Sequence, residues 1–145
     1  MKFKVIIDTS REEETIVYAH RHSKLVDDIE QLVTNDVKQL IGYSDQNIVN
    51  IKMSDVVCFT IEDGKVYALT LKEKLWLKLR LYQIEETVDQ NFVKINQSCI
   101  ANIKMISRFT VTFSGSLVAV FKNGYTDYVS RRQLKTVKER FGFNL

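Results

Sequence analysis

From residue 48 onward the chain consists of short alternating apolar and polar runs joined by tight turns, and this pattern constrains its fold more than any other feature. Asp55-Val56-Val57-Cys58-Phe59-Thr60-Ile61 and Lys65-Val66-Tyr67-Ala68-Leu69 flank Glu62-Asp63-Gly64. Asp-Gly between two β-prone runs is a strong hairpin signal, because the favoured two-residue turn needs positive φ at both of its central positions. The same reading joins residues 106–113 to 116–121 through Ser114-Gly115, and Asn123-Gly124 turns the chain into 125–129. An antiparallel meander is predicted, and the chain has no proline to interrupt it.

The stretch between the hairpin and the meander carries two signals. Thr70 and Glu73 have capping-box spacing, yet Leu75, Leu77, Leu79 and Leu81 alternate with Trp76, Lys78, Arg80 and Tyr82. Strict alternation outweighs one cap, so a strand is predicted to residue 80. A short helix follows through Leu81, Ile84 and Val88, and 92–95 is a strand leading into a polar segment. The first 46 residues read as a small α+β unit: strands at 3–7 and 15–20, then a helix. Ser23 is its cap, Leu25, Val26, Ile29, Leu32, Val33, Val37, Leu40 and Ile41 form one face, and Gly42 is the stop. The fold class is α+β, a small N-terminal unit followed by a mostly antiparallel β domain with short helices.

Charge is distributed unevenly over this plan. Residues 91–145 hold nine Lys/Arg against two Asp/Glu, a net of +7, whereas residues 1–90 hold twelve against sixteen, a net of −4. A basic module poor in acids is the footprint of a polyanion binder, since each cation placed on a phosphate releases condensed counterions. Ser130 and Gln133 have capping-box spacing ahead of a helix with Leu134, Val137 and Phe141 on one face. Arg131 and Arg132 then fall in its first turn, where cations oppose the helix dipole unless an anion is bound there.

At 45% hydrophobic and 27% charged, the composition is that of an ordinary globular protein. No apolar run approaches the roughly 18 residues of a membrane span, and the first eight residues are too quickly charged for a signal peptide, so a cytoplasmic location is expected. Cys58 and Cys99 are then most simply reduced and buried. His20 and His22 share a strand face, but no second cluster of ligands accompanies them, so no metal site is expected. Neither a Gly-rich phosphate loop nor a Ser/His/Asp set, HExxH or CxxC appears. The expectation is a protein that is not an enzyme and needs no cofactor.

The run Phe92-Val93-Lys94-Ile95-Asn96-Gln97-Ser98-Cys99-Ile100-Ala101-Asn102, then Ile106, Lys122-Asn123-Gly124 and Tyr128-Val129-Ser130-Arg131-Arg132-Gln133-Leu134 with Val137, resembles the LytTR family of bacterial DNA-binding domains. Lys94 stands where Arg is commoner, Asn96 where His or Ser is usual, Gln97 where Arg or Lys is frequent, and Ala101 where Val is usual. The resemblance implies a LytTR-like domain over 47–145 that docks on double-stranded DNA through loops and reads direct repeats in promoters. It implies a dimer or two cooperating copies, and for stand-alone members a membrane protein that restrains them. Residues 1–46, with their excess of acids, are assigned to dimerisation or regulation. The candidate DNA contacts are Lys65, Lys94, Asn96, Gln97, Ser98, Lys104, Asn123, Arg131 and Arg132. The rival reading is a β-rich signalling module that docks a protein or an acidic ligand through the same basic face.

The basic module makes a quantitative prediction. Affinity for DNA should fall steeply with salt, with a slope of log K against log salt of about −0.9 per phosphate neutralised, so several units for a contact through several loops. A slope near zero in an anisotropy titration would rule out docking dominated by phosphates.

Overall fold

The computed structural model describes residues 1–34 and 40–144. The chain divides into two units, Met1–Val37 and Lys38–Leu145. In the first unit the one regular element among the described residues is a helix, α1 (Lys24–Thr34). Its apolar residues recur at the helical period, and Leu25, Leu32 and Val33 are exposed. The segments predicted as strands, 3–7 and 15–20, form no strand. Both segments are exposed apart from the half-buried Val17, and a lone two-stranded ribbon buries too little to hold itself together. The bend between them is fixed by Asp8, whose Oδ1 accepts from Ser10 N at 3.0 Å and Ser10 Oγ at 2.6 Å. These bonds hold the Asp8 carboxyl below its ordinary pKa.

The helix predicted to run to Ile41 also differs. It is described to Thr34, positions 35–39 including Val37 lie outside the described residues, and a strand follows, β1 (Leu40–Tyr43). Leu40 and Gly42 point inward while Ile41 points out, the alternation of a strand, so the apolar period had run a helix and a strand together. Gly42 is therefore no helix stop.

The second unit continues with β2 (Ile48–Ile51), β3 (Val56–Glu62), β4 (Lys65–Thr70), β5 (Lys74–Leu77), α2 (Leu81–Thr87), β6 (Phe92–Asn96) and β7 (Cys99–Asn102). Then come β8 (Ile106–Val111), β9 (Leu117–Phe121), β10 (Thr126–Val129) and α3 (Leu134–Phe141). Seven strands form an antiparallel sheet in the order β2-β1-β5-β4-β3-β7-β6, and three form a second, β10-β9-β8. The Asp63-Gly64 turn joins β3 to β4 with φ of 51° and 74°, as the hairpin signal requires. The strand expected to reach residue 80 stops at Leu77. Thr70 caps a turn instead of a helix, its Oγ1 accepting from Lys72 N at 3.2 Å and Glu73 N at 3.0 Å. Strand β7 was not among the predicted elements.

The large sheet is covered on both faces, which gives three layers. On one face Leu81 and Ile84 of α2 pack onto Phe59, Leu75, Leu77, Phe92 and Ile100. On the other, Ile95, Cys99 and Ala101 meet Ala119 and Phe121 of the small sheet and Val137 of α3. A register shift between Val56 and Cys58 lets Val56 join the first core while Val57 and Cys58 join the second. Phe141 and Phe143 close the far side against Phe109, with ring centroids 4.8 Å and 5.3 Å away.

Gly42 lies where β1 crosses this core. A Cβ there would stand 2.5 Å from Ile51 Cδ1 and 2.8 Å from Leu75 Cβ. Gly42→Ala is expected to destabilise the protein by about 1–3 kcal/mol through overpacking. The check is the denaturant midpoint; a midpoint at or above the wild-type value would mean that the core yields at this position.

Candidate nucleic-acid interface

Three chain reversals come out at the same end of the second unit, because the register of the strands leaves them no other place. Glu62 pairs with Lys65 at the end of the β3–β4 hairpin, and Thr60 pairs with Cys99 one strand across. Beyond that pair, Ile61 N donates to Ser98 O at 3.1 Å, so the β6–β7 turn at Gln97-Ser98 is fastened beside the hairpin. On the other side Ser130 N donates to Ile95 O at 2.9 Å, which brings the Arg131-Arg132 turn against the end of β6. Lys65, Gln97, Ser98, Arg131 and Arg132 are all exposed. Lys65 Nζ lies 5.5 Å from the centroid of the Trp76 ring, which itself packs on Tyr43 at 5.6 Å. Trp76 thus sits on the outer face of β5, away from the core that holds Leu75 and Leu77.

Behind these tips lies a hydrogen-bonded polar group. Asn96 is 1% exposed, and its Nδ2 donates to Asp127 Oδ1 at 3.0 Å and to Tyr128 O at 2.8 Å. Its Oδ1 accepts from Ser98 N at 2.8 Å. Asp127 Oδ1 also accepts from Tyr128 N at 2.9 Å, and its Oδ2 from the Tyr125 hydroxyl at 3.0 Å. Burial, and then the negative charge of Asp127, push the Tyr125 phenol far above its ordinary pKa. Beneath this group Cys58 and Cys99 are free thiols and buried. A hydrogen bond with Cys58 and burial hold the Cys99 thiol well above its usual value.

Asn96 corrects the sequence reading. It stands among the candidate DNA contacts, but its amide is engaged inside the protein, because the register shift between Lys94 and Asn96 turns it away from solvent. Lys94 lies within β6, its Nζ 3.5 Å from Glu85 Oε2 on α2. Both side chains are partly exposed, and such a pair is weak enough for a phosphate to replace. Lys104 and Asn123 do not join the others. Lys104 follows the far end of β7, where Lys122 N donates to Met105 O at 2.9 Å, and Asn123 Oδ1 accepts from Tyr125 N at 3.1 Å. Both are thus at the opposite end of the strands from Gln97 and Arg132.

Arg131 and Arg132 also differ from expectation by one turn. The helix begins at Leu134, and Ser130 caps the turn before it, its Oγ accepting from Gln133 N at 3.3 Å without a reciprocal bond from the Gln133 side chain. The arginines therefore stand ahead of the helix and not within its first turn. The residues that sequence reasoning passed over are Asp127 and Tyr125. A signal was present: Asp127 is one of only two acids in the stretch of net +7. Among the described residues no group of His, Cys, Asp and Glu is arranged to hold a metal, and no helix is long and apolar enough to cross a membrane. His22 is paired with Asp27, Nε2 to Oδ1 at 2.6 Å.

Comparison with known proteins bears on this arrangement. The family model of the LytTr DNA-binding domain matches residues 46–142. A Staphylococcus aureus (strain NCTC 8325 / PS 47) protein, named an uncharacterized HTH-type transcriptional regulator, is 34% identical over 146 residues, covering 97% of each chain. Its counterpart in Staphylococcus aureus (strain Mu50 / ATCC 700699) carries the same description and the same identity and coverage. Among solved structures, a LytTr DNA-binding domain from Bacillus cereus superposes with a TM-score of 0.67 at 18% identity, over 73% of this chain and 99% of that one. This last likeness is one of fold.

The polar group predicts a pH effect. Because the Tyr125 pKa is raised on folding, its contribution is complete below the unfolded value of about 10 and declines as the pH rises past it toward the folded value. Unfolding midpoints measured from about pH 9 to about pH 11 should fall more steeply for wild type than for Tyr125→Phe. Parallel curves would show that the phenol titrates alike in both states.

Proposed function

Since this chain belongs to the LytTR family of DNA-binding domains, we propose that it is a transcriptional regulator that docks on double-stranded promoter DNA through loops of its β-rich unit. The observation that carries this reading is the convergence of Lys65, Gln97, Ser98, Arg131 and Arg132 on one end of the sheets, each exposed and each on or next to a turn fastened to its neighbour. Turn tips on a rigid β scaffold can enter successive grooves while the cations around them hold phosphates. Regulation of transcription is also what the names of the Staphylococcus aureus relatives state. A reading helix has less support here. Helix α2 turns Leu81 and Ile84 into the core and carries Glu85 and Glu86, which would repel phosphate.

Within this reading the residues have distinct roles. Arg132 has the planar fork that matches guanine N7 and O6, and the Gln97 amide can give and accept a hydrogen bond on an adenine edge. Lys94, freed from Glu85, and Lys65 act as point charges on phosphate. Lys104 and Asn123 belong to the far end and serve at most a flanking phosphate. The protein works in the cytoplasm, on direct repeats, as two copies. The first unit, where acids outnumber bases, serves assembly or regulation, and a membrane protein is the candidate restraint on it.

The test begins with a selection of binding sites from random DNA, followed by affinities for the selected site and its single-base-pair variants at one fixed salt concentration. Lys94→Ala is expected to weaken binding to all sequences alike. Gln97→Ala and Arg132→Ala should each cost about 1–3 kcal/mol on the selected site and relax discrimination at one or two base pairs. If both lower affinity for every sequence by the same factor, they are phosphate contacts, and specificity comes from DNA shape.

A further inference from the structure

The two turns assigned to base reading belong to different sheets. Gln97 follows the last residue of β6 in the seven-stranded sheet, and Arg131 follows β10 of the three-stranded one by two residues. Three hydrogen bonds cross that boundary at the reading end. One bond is main-chain, Ser130 N to Ile95 O. The others come from one buried amide: Asn96 Nδ2 reaches Asp127 Oδ1 and Tyr128 O on β10, while its Oδ1 holds Ser98 N beside Gln97. Three of the four hydrogen bonds an amide side chain can make are satisfied, and two of them cross from sheet to sheet. Asp127 is itself oriented from both sides, by Tyr125 Oη on one oxygen and Tyr128 N on the other.

We propose that Asn96 and Asp127 form an intersheet clamp that sets the distance and orientation between the Gln97-Ser98 turn and the Arg131-Arg132 turn. Asn96 is on this view a positioning residue for sequence discrimination and does not touch DNA. The physical case is one of geometry. Base-edge hydrogen bonds weaken steeply when donor and acceptor are displaced or tilted, whereas a lysine on a phosphate tolerates displacement. Two sheets packed through apolar side chains alone can shift against each other, because dispersion has little directional preference. A satisfied buried polar group allows one arrangement and penalises every other, since a shift would strand a donor out of water. The clamp stands at the root of both turns, where small rotations are amplified at the side-chain tips.

The inference rests on the DNA-binding reading, and its test separates the two. Asn96→Ser retains an acceptor near Ser98 N but gives up the reach to Asp127 and Tyr128, so it cuts the intersheet bonds and spares the local one. Hydrogen exchange in the free protein should then speed up at residues 130–132, which follow β10 of the opposite sheet. In DNA binding, the affinity ratio between the selected site and its single-base variants should drop by about tenfold or more, while affinity for unrelated DNA changes little. Asp127→Ala should act in the same way, and the double variant should be no worse than either single one. Asp127→Asn, which keeps an acceptor toward Asn96, should retain the wild-type ratio. Faster exchange with an unchanged ratio would overturn the clamp and leave the DNA reading intact. A wild-type protein that binds all sequences alike would overturn the DNA reading, and the clamp with it. Should Asn96→Ser fail to fold, the contrast between Asp127→Ala and Asp127→Asn decides: equal ratios refute the clamp.

Discussion

The structure depends on one strand being inaccessible from either side. Val56, Val57, Cys58 and Phe59 of β3 are all fully buried, with α2 over one face and the small sheet over the other. A strand in that position must pair its backbone groups with neighbours, and it does so with β4 from Val56 to Glu62 and with β7 at Cys58, Phe59 and Thr60. Pairing on both sides fixes where those neighbours end. The hairpin at Asp63-Gly64 and the turn at Gln97-Ser98 are therefore set side by side by the core and not by contacts of their own. Exposed polar tips can carry function because nothing in the core's stability rests on their side chains.

The small sheet solves a different problem. It buries Cys99 and Ala101 of the large sheet, but an apolar contact between sheets has little preferred register, and the reading end would suffer most from slippage. The polar group around Asn96 lies at that end. Its location beside an apolar cluster is also why the Cys99 thiol and the Tyr125 phenol keep their protons, since a low-dielectric surrounding and the Asp127 carboxylate both disfavour a second negative charge. Asp127 is thus tolerated within the basic stretch because hydrogen-bond donors surround it.

Much of this was legible in the sequence, and the reasons are local. Asp63-Gly64 and Asn123-Gly124 specify their turns by backbone chemistry alone, and the period shift at Leu81 and Ile84 marks α2. The parts that were not legible depend on partners distant in sequence. Leu40, Ile41 and Gly42 extend a helical period as written, and only pairing with β2 and β5 makes them a strand. Asn96 reads as one more polar residue of a loop until the register shift beside Lys94 turns it inward. Lys104 and Asn123 count toward the same net charge as Arg132, but charge counting is blind to which end of a strand a residue follows. Ser130 and Gln133 have the right spacing for a box, yet the bond forms in one direction only, and the arginines move out of the helix as a result.

The sheet order also bears on how the protein behaves when crowded with copies of itself. An open sheet ends in strands whose unpaired amides can recruit further chains into growing aggregates. Here β6, at one border, has its backbone partly covered by the bond from Ser130. Strand β8, a border of the small sheet, carries Arg108 next to a break in register, which spoils it as a template. Strand β10, the other border of the small sheet, has its Tyr128 carbonyl taken by Asn96 Nδ2. That leaves β2, a strand of four residues with Ile48 76% exposed, as the border that relies on shortness alone. Selection against clumping would therefore act on residues 48–51, independently of any demand made by the reading end.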